Sequence, residues 1–522
     1  MRRAAPTLAL AFAAVGSGCG WLPERMVFNG PPGMLRQVLF GSSVGVPAPD
    51  VQDARFQLPD GFHLSLFAEE LPDARLLRFT PSGDLLVSQP RAGRVVRLLP
   101  DRDADGRSDG RESVVEGLQQ PHGLDLREGW LYVAETDAIG RIRFDAETGR
   151  SSGRFERLVT GIPGGGNHWS RTLRFGPDGM LYLSVGSSCN VCEEKDARRA
   201  AILRYRPDGS GEAIHASGLR NSVGFDWQPG TGRLYATDNG RDLLGNDFPP
   251  CELNEIEAGG FYGWPRVNGF GVLDPDLGAG HEAQVASARP PVHGFRAHTA
   301  PLGIAFLTSE ALPSEWRGVA LVALHGSWNR TVKDGYEVVS LHWQPDGNIR
   351  EEPFLTGFLQ LGAPGGSAAA GSASAQGPEV IGRPVDVAEG PDGAIYISDD
   401  YAGAIYRVRY GAAPAGGSAR AAKPHREPAG ADPLEALSPD ERAREAARGA
   451  ALYESHACYR CHEVERAERG ATPLPLAQLS SRYAIAALAD FLAAPTPPMP
   501  LFALSAQERR ALAIHLLSAH GR

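Results

Sequence analysis

The stretch "HACYRCH" near the C-terminus holds Cys458 and Cys461 with two residues between them and His462 directly after. This spacing lets two thiols add to the vinyl groups of one porphyrin while the adjacent imidazole takes an axial position on its iron, which is the attachment pattern of haem c. A redox dithiol shares the Cys-x-x-Cys spacing but follows a strand in a βαβ unit, and no such pattern surrounds this motif. A six-coordinate electron-transfer haem needs a second ligand, and the soft thioether of Met499 in "PTPPMPLF" is the candidate. His456 and His515 are the alternatives, and His456 stands too near the attachment site to reach the opposite face.

The elements that must carry this motif are helical. Ser438-Pro-Asp-Glu441 and Ser505-Ala-Gln-Glu508 both have capping-box spacing, the first with Pro at the opening helical position. The region 434–522 therefore reads as a small all-α cytochrome c domain. The Pro/Gly/Ala-rich run 412–433 before it reads as a flexible linker, and "APGGSAAAGSASAQG" (363–377) as a flexible insertion.

Residues 56–411 look unlike an electron carrier. One phrase recurs six times: a short apolar run, a Gly-containing turn, a run such as "LYVAE", a second turn, and a run such as "RVVRL". The copies begin near Arg78, His122, Leu173, Val223, Leu302 and Asp386. Period-two alternation, β-branched and aromatic residues and Asp-Gly turns make each copy an antiparallel sheet. A small sheet buries both faces only by stacking on its neighbours, so six copies predict a six-bladed β-propeller, a mainly β fold. A flat array of sandwiches is disfavoured by the long, irregular loops between similar blades.

The 522-residue chain carries a formal charge of −10 and no basic patch, which argues against a nucleic-acid partner. Residues 1–19 have a basic start, a short apolar run and small residues before Cys19, an export signal leading into a segment 20–55 and implying a periplasmic location. Cys19 resembles a lipoprotein cleavage site, with Gly16 departing from the usual aliphatic residue. The leader thus reads either as simply cleaved or as leaving a lipid anchor at the membrane. Of the six cysteines, Cys189, Cys192 and Cys251 remain for the body, and in an oxidising compartment two of the three are expected to pair.

A haem implies an electron donor, and the richest loops of the propeller lie at blade boundaries: "NHWSR", "GLRNS", "ELNEI", "GGFYGWP" and "GRPVDV". In this order they resemble the soluble quinoprotein glucose and sorbosone dehydrogenases, six-bladed propellers that hold pyrroloquinoline quinone (PQQ) with Ca2+. The resemblance spans about Leu58 to Gly411. It implies His168 as general base, Arg220 with Asn221 as the pair contacting the quinone, and Arg383 as one of two arginines that clamp its carboxylates. It also implies that the loop from Asn239 to Glu252 binds the associated calcium, with the carbonyls of Gly240 and Arg241 as donors. This chain departs from the pattern in three places. Ser187 stands where the glucose enzymes orient the imidazole with a carboxylate, Arg330 or His325 must substitute for a lysine, and the second clamp arginine aligns with Val385.

The chemistry is consistent. Oxidation of an alcohol or hemiacetal requires a base for the hydroxyl proton as hydride leaves, and an imidazole with a pKa near the working pH suits this. The sequence thus predicts a PQQ-dependent dehydrogenase for an aldose, sorbosone-like sugar or related alcohol, passing electrons through haem c to a downstream cytochrome or respiratory-chain acceptor. A lactonase-like hydrolase and a non-catalytic sugar-binding or electron-transfer module are the rival readings, and the haem motif counts against the first. Separately, Asp101, Asp103, Asp105, Asp109 and Glu112 with Gly106 at position six have EF-loop spacing, read either as a structural calcium site in a blade connection or as a solvated acidic turn.

Overall fold

The computed structural model describes residues 43–360, 380–411, 437–462, 483–492 and 504–520, together with positions 31, 434, 476, 479 and 502. The leader with Cys19, the insertion 363–377, the linker 412–433 and Met499 lie outside the described residues.

Six antiparallel sheets form the expected propeller. Their first strands are Leu77–Phe79, Leu124–Arg127, Leu173–Phe175, Phe225–Trp227, Pro301–Phe306 and Pro384–Glu389, close to the starts of the six sequence copies. The second strands, such as Leu85–Gln89, Leu181–Val185 and Ile395–Asp399, are buried along their whole length rather than on alternate residues. Each blade is covered on both faces, so a strand with an alternating sequence has no solvent side. Six apolar clusters fill the spaces between neighbouring blades, one per interface. Around the axis, aspartates in the first strands staple one blade to the next. Asp386 accepts from Leu77 N at 2.9 Å, Asp125 from Phe175 N at 2.7 Å, and Asp226 from Phe306 N at 3.0 Å.

The ring closes with a strand from the other end of the repeat region. Phe62–Ala68 pairs antiparallel with Ala404–Tyr410, with Phe62 opposite Tyr410, and so completes the sixth blade. The third blade gains a short parallel fifth strand, Gly260–Phe261, from the "GGFYGWP" segment.

Beyond the propeller, the helices Pro439–Ser455 and Ala506–His520 pack against each other around their own apolar cluster. Ser438 Oγ accepts from Glu441 N at 3.2 Å, and Ser505 forms the reciprocal box, its N–H donating to Glu508 Oε2 at 2.8 Å. Glu441 itself reaches across to Arg510 at 3.1 Å. At the crossing, a Cβ on Gly449 would lie 2.2 Å from the carbonyl oxygen of Ala511, so only glycine allows the two backbones to approach this closely.

Candidate active site

The strand order of a four-stranded antiparallel blade decides which loops meet. The links between blades and the links from second to third strand emerge at one end; the other hairpins emerge at the opposite end. Arg75, His168, Arg220, His298 and Arg383 lie on inter-blade links, and Ser187, Asn190, Asn239, His325 and Asp400 on second-to-third-strand links. All of them therefore gather at the same end of the ring. An axial cavity of about 180 Å³, lined by the first strands around Arg78, Arg174 and Asp226, contains none of the residues predicted from the loops.

Gly186 is what brings two of the predicted residues together. A Cβ there would stand 2.6 Å from His168 Cβ and 2.6 Å from Asn221 Oδ1. His168 Nδ1 lies 2.9 Å from Ser187 O and 3.0 Å from Ser187 Oγ, and that hydroxyl donates its own proton to Cys189 O at 2.7 Å. Both Ser187 oxygens are thus acceptors toward the ring, which assigns the proton to Nδ1 and the lone pair to Nε2. Ser187 orients the imidazole without adding a negative charge. The expectation of a pKa near the working pH is corrected accordingly: desolvation first, then the Arg220 guanidinium, lower it to about 3. His168 is a neutral acceptor throughout the physiological range.

Arg220 is buried and held on every side. Nε and Nη2 donate to Asn190 O and Asn190 Oδ1, both at 2.9 Å, Nη1 donates to the carbonyls of Asn239 (3.1 Å) and Gly240 (3.0 Å), and Nη2 pairs with Asp242 at 3.0 Å. Asn190 lies between Cys189 and Cys192, which form the disulfide; Cys251 is the free, buried thiol of the three. The N–H of Asn221 donates to Asp238 Oδ1 at 2.6 Å.

Of the carbonyls expected to bind calcium, that of Gly240 accepts from the Arg220 guanidinium, while the Arg241 side chain pairs with Asp274 at 2.5 Å and Asp276 at 2.9 Å. Further oxygen donors lie on the fourth blade, where Asp238 and Glu252 are direct cross-strand partners and both buried. Burial raises both carboxyl pKa values, and the charge of Asp238 raises that of Glu252 further. Asn254 donates to Glu252 Oε2 at 3.0 Å, and its own Oδ1, like Asn239 Oδ1, is buried with no hydrogen-bond partner among the described residues. Two buried carboxyl groups with orphaned amide oxygens fit a hard divalent cation such as Ca2+.

On the facing blades, Arg383 is 5% exposed and donates Nε to His325 O at 3.0 Å and Nη2 to Gly326 O at 3.1 Å. Its charge thus rests on carbonyls, an arrangement that suits an anionic ligand such as the carboxylates of PQQ. His325 Nε2 lies 2.9 Å from Asp400, which also binds Arg75 at 2.7 Å. Arg75 was missed in the sequence because it precedes a strand without a recognisable motif; it reaches over the ring of Trp169, 5.6 Å from the centroid, beside His168. Val385, which stands in register with a clamp arginine, is buried in an apolar trio with Val223 and Leu302. Arg330 is drawn elsewhere, to Asn246 O at 2.6 Å and Asp247 at 3.1 Å, so of the two proposed substitutes for lysine it is His325 that joins the Arg383 group.

One predicted group lies at the opposite end of the ring. Carboxylate oxygens of Asp101, Asp103 and Asp109 come within 4.8 Å of one another. Asp105 instead caps Arg107 N at 2.7 Å. The EF-loop reading fails at Glu112, which belongs to the strand Arg111–Val115 and pairs with Arg97 at 2.6 Å. In the helical unit, Cys458 is half-buried just after the Pro439–Ser455 helix, and Cys461 and His462 lie in the short helix Tyr459–His462. His462 N donates to Cys458 O at 3.2 Å, so one helical turn spans Cys458 to His462.

Residues 130–332 match the glucose / sorbosone dehydrogenase family, and residues 278–411 match a family described as TrAA12-like. An uncharacterized protein of Borreliella burgdorferi is 31% identical over 394 residues, spanning 72% of this chain and 96% of that protein. A pyrroloquinoline quinone-dependent pyranose dehydrogenase of Coprinopsis cinerea is 24% identical over 429 residues, spanning 70% of this chain and 57% of that protein. Among solved structures, the calcium structure of the Trichoderma reesei carbohydrate-active enzyme of family AA12 aligns with a TM-score of 0.58 at 22% identity, over 71% of this chain and 99% of that one, a likeness of fold. The propeller, its loop-end cluster and these matches agree, and the chain belongs to the glucose / sorbosone dehydrogenase family of quinoprotein sugar dehydrogenases.

Proposed function

We propose that the protein is an exported, periplasmic oxidoreductase that uses PQQ and Ca2+ to oxidise an aldose or related sugar alcohol or carbonyl hydrate, and delivers the electrons to a haem c in its own C-terminal unit. The observation that carries this reading is His168, a neutral imidazole with Nδ1 tied to Ser187 and Nε2 left as the acceptor, within the electrostatic reach of the buried Arg220.

When bound, PQQ supplies a two-electron acceptor and Ca2+ the Lewis acid beside it. Arg220 and Asn221 on one side, and Arg383 with His325 and Arg75 on the other, would hold the quinone's polar edge, while Asp238 and Glu252 would hold the cation. His168 Nε2 takes the hydroxyl proton of the substrate as the C–H hydride departs. Arg220 next to it disfavours the imidazolium, so the proton is readily passed on once transfer is complete. Cys458, Cys461, His462 and Met499 would hold a haem, which when bound would supply one-electron transfer toward a cytochrome or respiratory-chain acceptor.

The test is reconstitution of the purified full-length protein with PQQ and Ca2+, followed by anaerobic addition of a panel of aldoses. Reduction of the haem band, together with sugar-dependent reduction of an artificial dye, is the expected result. Absence of both with every sugar overturns the reading. Dye reduction without a haem band overturns its electron-transfer half alone.

A further inference from the structure

An acidic hairpin lies at the end of the propeller opposite the proposed active site. The hairpin joining Arg94–Leu98 to Arg111–Val115 in the first blade has the sequence Asp101-Arg-Asp103-Ala-Asp105-Gly106-Arg-Ser-Asp109. With Glu112 removed by its pairing to Arg97, the acidic residues stand at positions 1, 3, 5 and 9, and glycine at position 6 takes a φ of +92° that a side chain would strain. The loop is thus a compact nine-residue turn rather than an EF-hand.

A cluster of exposed acids alone would be a solvated turn. What distinguishes this one is Asp101, whose side chain is only 3% exposed. Its Oδ2 accepts from Gly106 N at 3.0 Å and from Arg407 at 2.7 Å. Its Oδ1 is buried and has no hydrogen-bond partner among the described residues. A buried carboxylate oxygen without a donor is costly, and Asp101, Asp103 and Asp109 each bring one carboxylate oxygen within 4.8 Å of the others. One arginine does not balance three converging carboxylates. Among the described residues, Asp109 in turn accepts only long contacts, 3.3 and 3.4 Å, from Arg102 N.

We propose that Asp101, Asp103 and Asp109, with Asp105 one turn away, form a calcium site that locks the seam of the propeller. An all-oxygen donor set on a flexible turn matches the irregular six- to eight-fold coordination of Ca2+ better than the strict octahedron of Mg2+. The location gives the ion its role. Arg407 belongs to the last strand of the sixth blade, Ser108 N donates to Phe67 O of the closing strand at 2.9 Å, and Arg107 pairs with Glu69 at 2.9 Å. A cation at Asp101 fixes the loop that ties the first blade to both strands of the closure.

Trypsin cleavage of the Arg107–Ser108 bond in the full-length protein reads this directly. After removal of divalent ions with a chelator, millimolar Ca2+ is expected to slow that cleavage about 10-fold or more, as binding withdraws the locally open state, with Mg2+ having little effect. The double variant Asp103→Asn/Asp109→Asn, both at exposed positions, is expected to lose the protection. Glu252→Gln, which alters the cation group at the other end of the ring, is expected to keep it. Equal cleavage with Ca2+ and chelator, equal protection by Mg2+, or full protection in the double variant would each overturn the proposal.

Discussion

Asn190 holds Arg220 by two different oxygens: its carbonyl receives Nε and its amide oxygen receives Nη2, both at 2.9 Å. The same amide oxygen accepts from Asp242 N at 2.8 Å, so one side chain sets the plane of the guanidinium and the position of its acid partner. Replacing Asn190 by Ala removes the amide contacts and leaves the backbone one. Charged hydrogen bonds of this kind contribute about 1.5–3 kcal/mol, so half-saturation with PQQ should require roughly 10- to 100-fold more cofactor. Turnover at saturating PQQ should change far less; titration of dye-linked activity with PQQ separates the two.

The Cys189–Cys192 bridge encloses Asn190 in a ring of four residues. Opening it by the double substitution Cys189→Ser/Cys192→Ser releases the segment that aims Asn190 at Arg220. The expected outcome is a weakened PQQ affinity in the same direction as Asn190→Ala, with no additional loss when the two changes are combined. Additive effects in that cycle would show that the bridge acts elsewhere.

His168 should act as a base without needing deprotonation at working pH. Its pKa of about 3 predicts no loss of the base between pH 8 and pH 5, whereas an unperturbed histidine would titrate near 6.5. Turnover in His168→Gln is expected to fall by about 10²- to 10⁴-fold. Stability carries the same signature. The unfolded chain binds a proton that native His168 refuses, so the contribution of the neutral ring is complete above about pH 6.5 and is lost as pH falls toward 3. At pH 5 this amounts to at most about 2 kcal/mol. Urea midpoints at pH 7 and pH 5 should therefore drop less in His168→Gln than in the parent.

Gly449 allows the Pro439–Ser455 and Ala506–His520 helices to touch through their backbones. Gly449→Val forces them apart, with a cost of about 1–3 kcal/mol to the helical unit. Dye-linked oxidation by the propeller should survive while haem reduction falls, and parallel loss of both would show that the two units depend on each other.

The propeller was readable because every blade repeats one phrase, and stacked identical units leave little freedom of architecture. Its closure was not readable: "FHLSLFA" resembles any short strand, and its partner lies at the far end of the repeat region. Within the site, His168, Arg220 and Arg383 were legible from motifs in order, while Arg75 and Asn190 carry no motif and acquire their roles only when loops from different blades meet. Linear spacing also does not show that the Gly240 carbonyl accepts from Arg220. Asp238 and Glu252 become neighbours only through strand pairing. Likewise, Glu112 fits a twelve-residue spacing until the strand it begins turns it toward Arg97.

The closing strand also sets a timetable for synthesis. Ser65 and Arg407, whose backbones meet across the seam, are 342 residues apart in the chain. At translation rates of roughly 5–20 residues per second, the first strand waits on the order of 20–70 s for its partner to be made. Throughout that interval "FHLSLFA" is an apolar segment with unsatisfied backbone groups, a target for aberrant association. The nascent chain therefore needs either a holding factor or a delay in folding until its last blade exists.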